Sequence, residues 1–278
     1  MQLEGIKSTI RILVPRGVRN WLRSPAKACS WVWQSVRFRC GFVDSLEISD
    51  GLSLLCHPLV YRAAQTAQVL DPEQAAEFHQ FVSYCHRGMF LFDVGASFGI
   101  FSLACARLGG NAVAMDPSPI ATDMIAKQLK LNNLKDNVRI LQAAIGDMDG
   151  TIEMLSAGIY SDGYYRYESG RDRRELTRVP VTTLDHLAER FGRPSHLKID
   201  VEGYEAAVIR GARELLKRSS PLVFLELHNE MVHASNGDVA FCVHELSKLG
   251  YKIFSAYGTP LSVEQALRPP ICRVLAVP

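Results

Sequence analysis

Along this chain, short unbroken apolar runs alternate with stretches whose apolar residues recur at helical spacing, the pattern of a parallel sheet covered by helices. Met89-Phe90-Leu91-Phe92 is one such run, stopped by Asp93 and Gly95, and reads as a strand buried on both faces. Phe98, Phe101, Leu103, Ala104 and Leu108 then supply one side of a helix that Gly109-Gly110 terminates. Val113 to Met115 is a second strand with Asp116 at its carboxyl end, followed by a helix over 119–132 and a third strand from Val138 to Ile145. Short strands follow at Thr151–Leu155 and Val179–Val181, then a helix at Leu184–Phe191 and a strand Leu197–Gly203 with an acidic end. One helix carries Tyr204, Val208, Gly211 and Leu215 on its buried face. The strand Leu222–His228, a helix near 238–249 and strands Tyr251–Ala256 and Cys272–Val277 complete the series. The alternation predicts a doubly wound α/β fold with a seven-stranded sheet, its last strand antiparallel because no helical crossover precedes it.

Upstream, Leu46 to Leu54 alternates around Asp50-Gly51 and predicts a β-hairpin, expected at one edge of the core. Asp71-Pro72-Glu73-Gln74 opens a helix as cap, first-position proline and capping-box partner, with Phe78, Phe81, Val82 and Cys85 as its buried stripe. Residues 1–42 predict two amphipathic helices separated by Ser24-Pro25. In the first, Val14, Val18, Trp21 and Leu22 oppose Arg16, Arg19 and Arg23; in the second, Trp31, Val32, Trp33 and Val36 accompany Lys27, Arg37 and Arg39. The preferred reading is a cap docked on the core with its arginines in water; peripheral membrane contact is the alternative. The chain thus divides into a basic extension (1–42), a hairpin-and-helix segment (43–87) and a main domain (88–278). Residues 156–178, rich in tyrosine and arginine (Tyr160, Tyr164, Tyr165, Tyr167; Arg166, Arg171, Arg173, Arg174, Arg178), are read as a long polar loop, either a lid or a mobile connection.

Composition narrows the class. With 278 residues and 47% apolar content the chain can bury one large core. Seven scattered cysteines without C-x-x-C form neither a disulfide framework nor a zinc site, which predicts a reducing, cytoplasmic compartment. The start lacks a secretory apolar region, and no charge-free stretch is long enough to span a bilayer. The net charge of +2 conceals a basic extension, where eight Lys/Arg face Glu4 alone, and an acidic remainder. An acidic main domain without a reading motif argues against nucleic acid as partner.

The chemistry converges on the first strand pair. Asp116 follows Gly95 by 21 residues, about the separation at which a second-strand acid takes the ribose hydroxyls of a nucleoside cofactor. A dinucleotide fingerprint needs glycine where Ser97 stands, and a carboxylate at Asp93 repels a pyrophosphate but attracts an ammonium group. S-adenosylmethionine has the ammonium and no phosphate, so it is preferred over NAD. Asp147, after the third strand, is at a position that can meet an adenine, although a plain turn explains Gly146-Asp147 equally well.

The segments FDVGASFG, AMDPSP, KIDVEGYEAAVIRGA and FLELH resemble the FkbM family of class I S-adenosylmethionine-dependent methyltransferases, over roughly residues 88–277. The resemblance implies a Rossmann-like seven-stranded fold and methyl transfer, usually to a hydroxyl oxygen of a sugar or natural product. It assigns Asp93, Gly95 and Gly99 to the cofactor turn, Asp116 to the ribose and Asp147 to the loop after the third strand. It places Asp200, Glu202 and His228 facing the transferred methyl, with no metal required. Ser97 stands where the family commonly has Asn, and Asp116 where Glu is usual. The expected activity is therefore methyl transfer to a glycan, lipid-linked sugar or small-molecule hydroxyl. His228 is expected to act as base and Asp200 to orient the acceptor. An NAD-dependent oxidoreductase and a non-catalytic cofactor-binding scaffold are the rivals.

Overall fold

The computed structural model describes residues 25–156, 164–166, 176–231 and 239–278. The first predicted helix, together with Tyr160, Tyr167, Arg171, Arg173 and Arg174, lies outside them.

Seven strands form the central sheet: β3 (Phe90–Val94), β4 (Asn111–Met115), β5 (Val138–Leu141), β10 (His196–Ile199), β11 (Leu222–His228), β12 (Lys252–Ser255) and β13 (Ile271–Val277). Their spatial order is β12-β13-β11-β10-β3-β4-β5, with β13 antiparallel to both neighbours and the β5–β4–β3–β10–β11 pairs parallel. This is the predicted doubly wound sheet with an antiparallel last strand. In β3, Leu91 faces one apolar core and Phe92 the other, which is why the strand reads as an unbroken apolar run.

The first core is covered by the hairpin and by α3 (Pro72–Tyr84), α4 (Ile100–Arg107) and α5 (Pro119–Asn132). The second lies under α6 (Leu184–Phe191), α7 (Glu205–Arg210), α8 (Arg213–Ser219) and α9 (Val239–Lys248). Asp71 caps α3 by accepting the Gln74 N–H at 3.1 Å, and Ser118 caps α5 from one residue before Pro119.

Several expectations need correction. The third strand is split: after β5 the chain leaves the sheet, and Ala144–Ile145 (β6) pairs instead with β9 (Leu176–Thr182). Leu141 is the last residue with a partner on β4, opposite Met115, so beyond it the main sheet offers nothing to pair with. A second, four-stranded sheet, β6-β9-β7-β8, thereby forms with β7 (Gly150–Ser156) and β8 (Tyr164–Arg166). Part of the supposed polar loop is thus a strand.

The hairpin of β1 (Asp44–Ser49) and β2 (Leu52–Cys56) pairs only with itself. It lies on α5 and contributes Leu46, Ile48, Leu54 and Cys56 to the first core. The Asn132 side chain both accepts the Leu55 N–H and donates to the Leu55 carbonyl at 2.8 Å, and Gln128 accepts the His57 N–H at 2.8 Å.

A helix absent from the sequence reading, α2 (Pro58–Leu70), follows the hairpin. The Leu59 N–H donates to His57 Nδ1 at 3.1 Å, a cap that the usual Ser/Thr/Asp/Asn signal does not reveal. Burial pushes the His57 pKa down to about 4, which keeps that nitrogen available as an acceptor.

The helix expected after Gly203 is broken in two at Gly211, for a reason given below. In α1 (Pro25–Arg39) the expected amphipathicity is inverted: Gln34 is buried, while Val32, Trp33 and Val36 are exposed, Trp33 by 62%. Arg37 is turned back onto Gln34 and Asp44. No helix among the described residues is long and apolar enough to cross a membrane, and none of Cys40, Cys56, Cys85, Cys105, Cys242 and Cys272 is in a disulfide.

Candidate active site

Parallel pairing in register brings the carboxyl ends of β4, β3, β10 and β11 to one edge, with Met115 opposite Val94, Val94 opposite Ile199, and Ile199 opposite Leu225. Gly95, Asp116 and Asp200, just beyond their strands, and Glu226 to His228, the last residues of β11, therefore share one rim. The Gly95 and Ala96 N–H groups donate to the Met115 carbonyl at 2.9 Å, folding the turn over β4. Gly95 has φ +76°, and a Cβ there would lie 1.7 Å from the Asp200 carbonyl oxygen, so only glycine lets turn and β10 end meet. Ser97 is also left-handed, at φ +48°. Its N–H donates to Asp116 Oδ2 at 2.9 Å, and the Ser118 N–H donates to Oδ1 at 2.7 Å. Asp116 thus fixes the turn that lines the cavity beside it.

Asp93 lines the same cavity and also anchors the turn. Its Oδ2 accepts the Ser102 N–H at 3.1 Å and hydroxyl at 2.6 Å, tying the strand end to α4. Burial pushes its carboxyl up to about 6 against the pull of Ser102 and Lys198.

Next to it is a buried charge network that sequence reasoning missed. Lys198, 2% exposed, places Nζ 3.0 Å from Glu77 Oε1 and 3.9 Å from both Asp200 Oδ2 and Glu226 Oε2, over the Phe101 ring. Burial alone would lower the Lys198 pKa, but Glu77, Asp200 and Glu226 outweigh it and hold the ammonium above its ordinary value. Arg273 grips Glu226 with Nε and Nη2 at 3.1 and 3.0 Å and reaches Asp71 at 2.9 Å. Burial, then Asp200, pushes Glu226 up to about 7 despite these two cations. The available signal was a lysine inside the all-buried strand HLKI and a glutamate beside Phe78 on the apolar side of α3: such charges are buried only when paired.

His228 stands at this end of the rim. Its Nδ1 lies 2.7 Å from Glu205 Oε1, and its Nε2 lies 3.5 Å from Glu226 Oε1 and 3.8 Å from Asp200 Oδ1. Burial would depress it, but Glu205, Asp200 and Glu226 together raise its pKa above the ordinary 6.5. The predicted pair Asp200 and His228 is therefore adjacent, and Glu202, held at φ +47°, also lines the cavity. Asp200, Glu226 and His228 offer ligand atoms within 4.8 Å of one another, a spacing that can hold a cation. Lys198 and Arg273 already serve as counter-charges to those carboxylates.

Asp147 also lines the cavity, and Arg210 Nε donates to its Oδ2 at 2.9 Å. Beside it, a Cβ on Gly211 would lie 2.0 Å from the Gly146 carbonyl oxygen. The helix after Gly203 breaks here because its backbone passes directly over the loop that carries Asp147.

These residues surround a cavity of about 760 Å³, within the usual range for a small-molecule site. Its described lining includes seven acids (Asp93, Asp116, Asp147, Asp149, Asp200, Glu202 and Glu226) and a single lysine, Lys198. Such a lining fits a cationic ligand with ribose hydroxyls and disfavours a pyrophosphate. The residues present thus suit S-adenosylmethionine, with the Gly95–Gly99 turn and Asp116 to hold it.

Comparison with known proteins agrees. The profile of the methyltransferase FkbM domain matches residues 93–253. Methyltransferase sdnD of Sordaria araneosa is 26% identical over 159 residues, 45% of this chain and 61% of that protein. A ribosomal protein L11 methyltransferase of Geobacillus thermodenitrificans is 34% identical over 86 residues, 30% of this chain and 28% of that one. A solved FkbM methyltransferase from Methylobacillus flagellatus superposes with a TM-score of 0.46 at 16% identity, over 68% of this chain and 43% of its own. The chain thus spans less than two thirds of each of these relatives. Because the matched domain occupies more than half of the chain and contains the Gly95 turn, Asp116, Asp200 and His228, the protein belongs to the FkbM methyltransferase family.

Proposed function

We propose that the protein is an S-adenosylmethionine-dependent methyltransferase whose acceptor is a neutral hydroxyl, on a sugar, a glycolipid or a small natural product. The observation that carries this reading is the meeting of His228 Nε2 and Asp200 at the acidic end of the cavity. When bound, the cofactor supplies an electrophilic methyl whose bonding pair returns to the leaving sulfur. The chain's part is to align the acceptor and take its proton.

His228 is the group for the proton. An alcohol gains positive charge as it attacks, and a positioned base contributes about 10²–10⁴-fold. The raised pKa of His228 means that the neutral form needed for this role prevails only above 6.5, so the acidic limb of the rate profile lies higher than for a free imidazole. Asp200, partly exposed to the cavity, can accept a hydrogen bond from a second acceptor hydroxyl. An anionic acceptor is disfavoured, since the one described lysine in the lining is committed to carboxylates. The exposed Val32, Trp33, Val36 and Phe42 on a basic extension support peripheral contact with anionic lipid, the setting in which a glycolipid acceptor would be met.

The test is mass spectrometry of an acceptor panel of neutral polyols, carboxylates and amines with methyl-labelled cofactor. Label should appear on hydroxyl oxygen, and His228→Ala should lower kcat while leaving cofactor affinity unchanged. Label confined to nitrogen or carboxylate, or an unchanged kcat in the variant, overturns the proposal.

A further inference from the structure

Glu205 opens α7 with its side chain 1% exposed, and nothing in cofactor binding calls for it. Its Oε1 accepts the Gly203 N–H at 2.9 Å and lies 2.7 Å from His228 Nδ1. Its Oε2 is buried without a hydrogen bond. A buried carboxylate is costly, and the imidazole beside it is the cation-forming group that compensates.

A carboxylate can only accept, so Nδ1 must carry a proton and Nε2 must hold either the lone pair or the second proton. Nε2 is the nitrogen on the side of Asp200 and Glu226, where the cavity lies. The charged groups around the imidazole are Glu205 from α7, Asp200 from the end of β10 and Glu226 from β11, with Lys198 and Arg273 one step further out, on the carboxylates.

We infer that Glu205 is a positioning residue for His228, fixing its tautomer and ring orientation so that the Nε2 lone pair faces the acceptor. It also stabilises the imidazolium once formed. The acceptor O–H bond breaks, its proton goes to Nε2, its electron pair stays on oxygen for the new bond to carbon, and Nε2 later releases the proton to water. The catalytic part rests on His228 acting as base, as proposed above; the tautomer does not.

The test therefore begins without cofactor or acceptor. In protein carrying ¹⁵N-labelled histidine, neutral His228, assigned with His228→Ala, should bear its proton on Nδ1. In Glu205→Gln the amide oxygen can keep the Gly203 N–H and Nδ1–H as donors, so orientation survives and only the charge is lost; the His228 titration should move to lower pH. In turnover, Glu205→Gln should reduce kcat by roughly 10-fold and Glu205→Ala by roughly 10²-fold. Both should leave cofactor affinity unchanged, and the acidic limb should move to lower pH in Glu205→Gln. A neutral His228 protonated on Nε2, or the same titration in wild type and Glu205→Gln, overturns the inference. The wild-type spectrum alone decides the tautomer should the variants fail to fold. A correct tautomer with no hydroxyl methylation would refute the base assignment while leaving the Glu205–His228 pairing in place.

Discussion

Replacing Lys198 with Met tests whether the buried network holds the site together. Met fills nearly the same volume, so the loss is of charge rather than of packing. The ammonium is the closest cation to Glu77 at 3.0 Å and is shared with Asp200 and Glu226 at 3.9 Å, almost wholly out of water. Removing one partner of a buried pair costs about 3–5 kcal/mol. Arg273 remains 3.8 Å from Glu77 and 3.0 Å from Glu226, which favours the lower end, about 3 kcal/mol. For a chain of this size that corresponds to a fall in Tm of roughly 6–10 °C.

The pH dependence gives the result its signature. In the wild type the Lys198 pKa is raised above 10.5, so its contribution is fully present below that value and is lost only at still higher pH. In the variant Glu226, already pushed to about 7, loses one of the cations holding it down and its folded pKa rises further. The folded state then binds more protons than the unfolded one, so stability increases as pH falls and the deficit narrows between pH 8 and 6. Urea denaturation at both pH values reads this directly, with an unchanged m-value expected. A variant as stable as wild type at pH 8, or a deficit independent of pH, would show that Lys198 is not the counter-charge of this cluster.

At a concentration one hundred times its Kd, S-adenosylmethionine should add about 2.7 kcal/mol to the stability of the wild type and raise its Tm, whereas NAD should not. Asp116→Ala should abolish the increment beyond any change in its own baseline; an undiminished increment would remove Asp116 from the ribose. Trp33→Glu with Val36→Glu should reduce sedimentation of the full chain with phosphatidylserine-containing vesicles while leaving the cofactor-induced Tm shift intact. Equal sedimentation of variant and wild type would show that this face of α1 does not contact lipid.

The sequence by itself determined the elements of the main sheet and the antiparallel sense of its last strand. Apolar runs at 89–92 and 222–228 can be satisfied only between two helical layers, and a glycine turn followed by a second-strand acid places a ligand edge. It also brought Asp200 and His228 to one rim, since both end parallel neighbouring strands. Local pattern does not report what a backbone passes in space. That Gly95 is required by the Asp200 carbonyl and Gly211 by the Gly146 carbonyl, breaking a helix and turning Asp147 toward Arg210, follows only from contacts across more than sixty residues. The same holds for charge. Glu77, Lys198, Glu205 and Arg273 read as ordinary polar positions on α3, β10, α7 and β13, and become a site because packing removes water from all four. The inversion of α1 has this origin too. Its sequence is amphipathic, but the surface it meets takes Phe38 on the His57 ring and Arg37 at Asp44, so Gln34 turns inward while Trp33 and Val36 are left outside. Periodicity states which face is apolar; only the tertiary structure decides which face is covered.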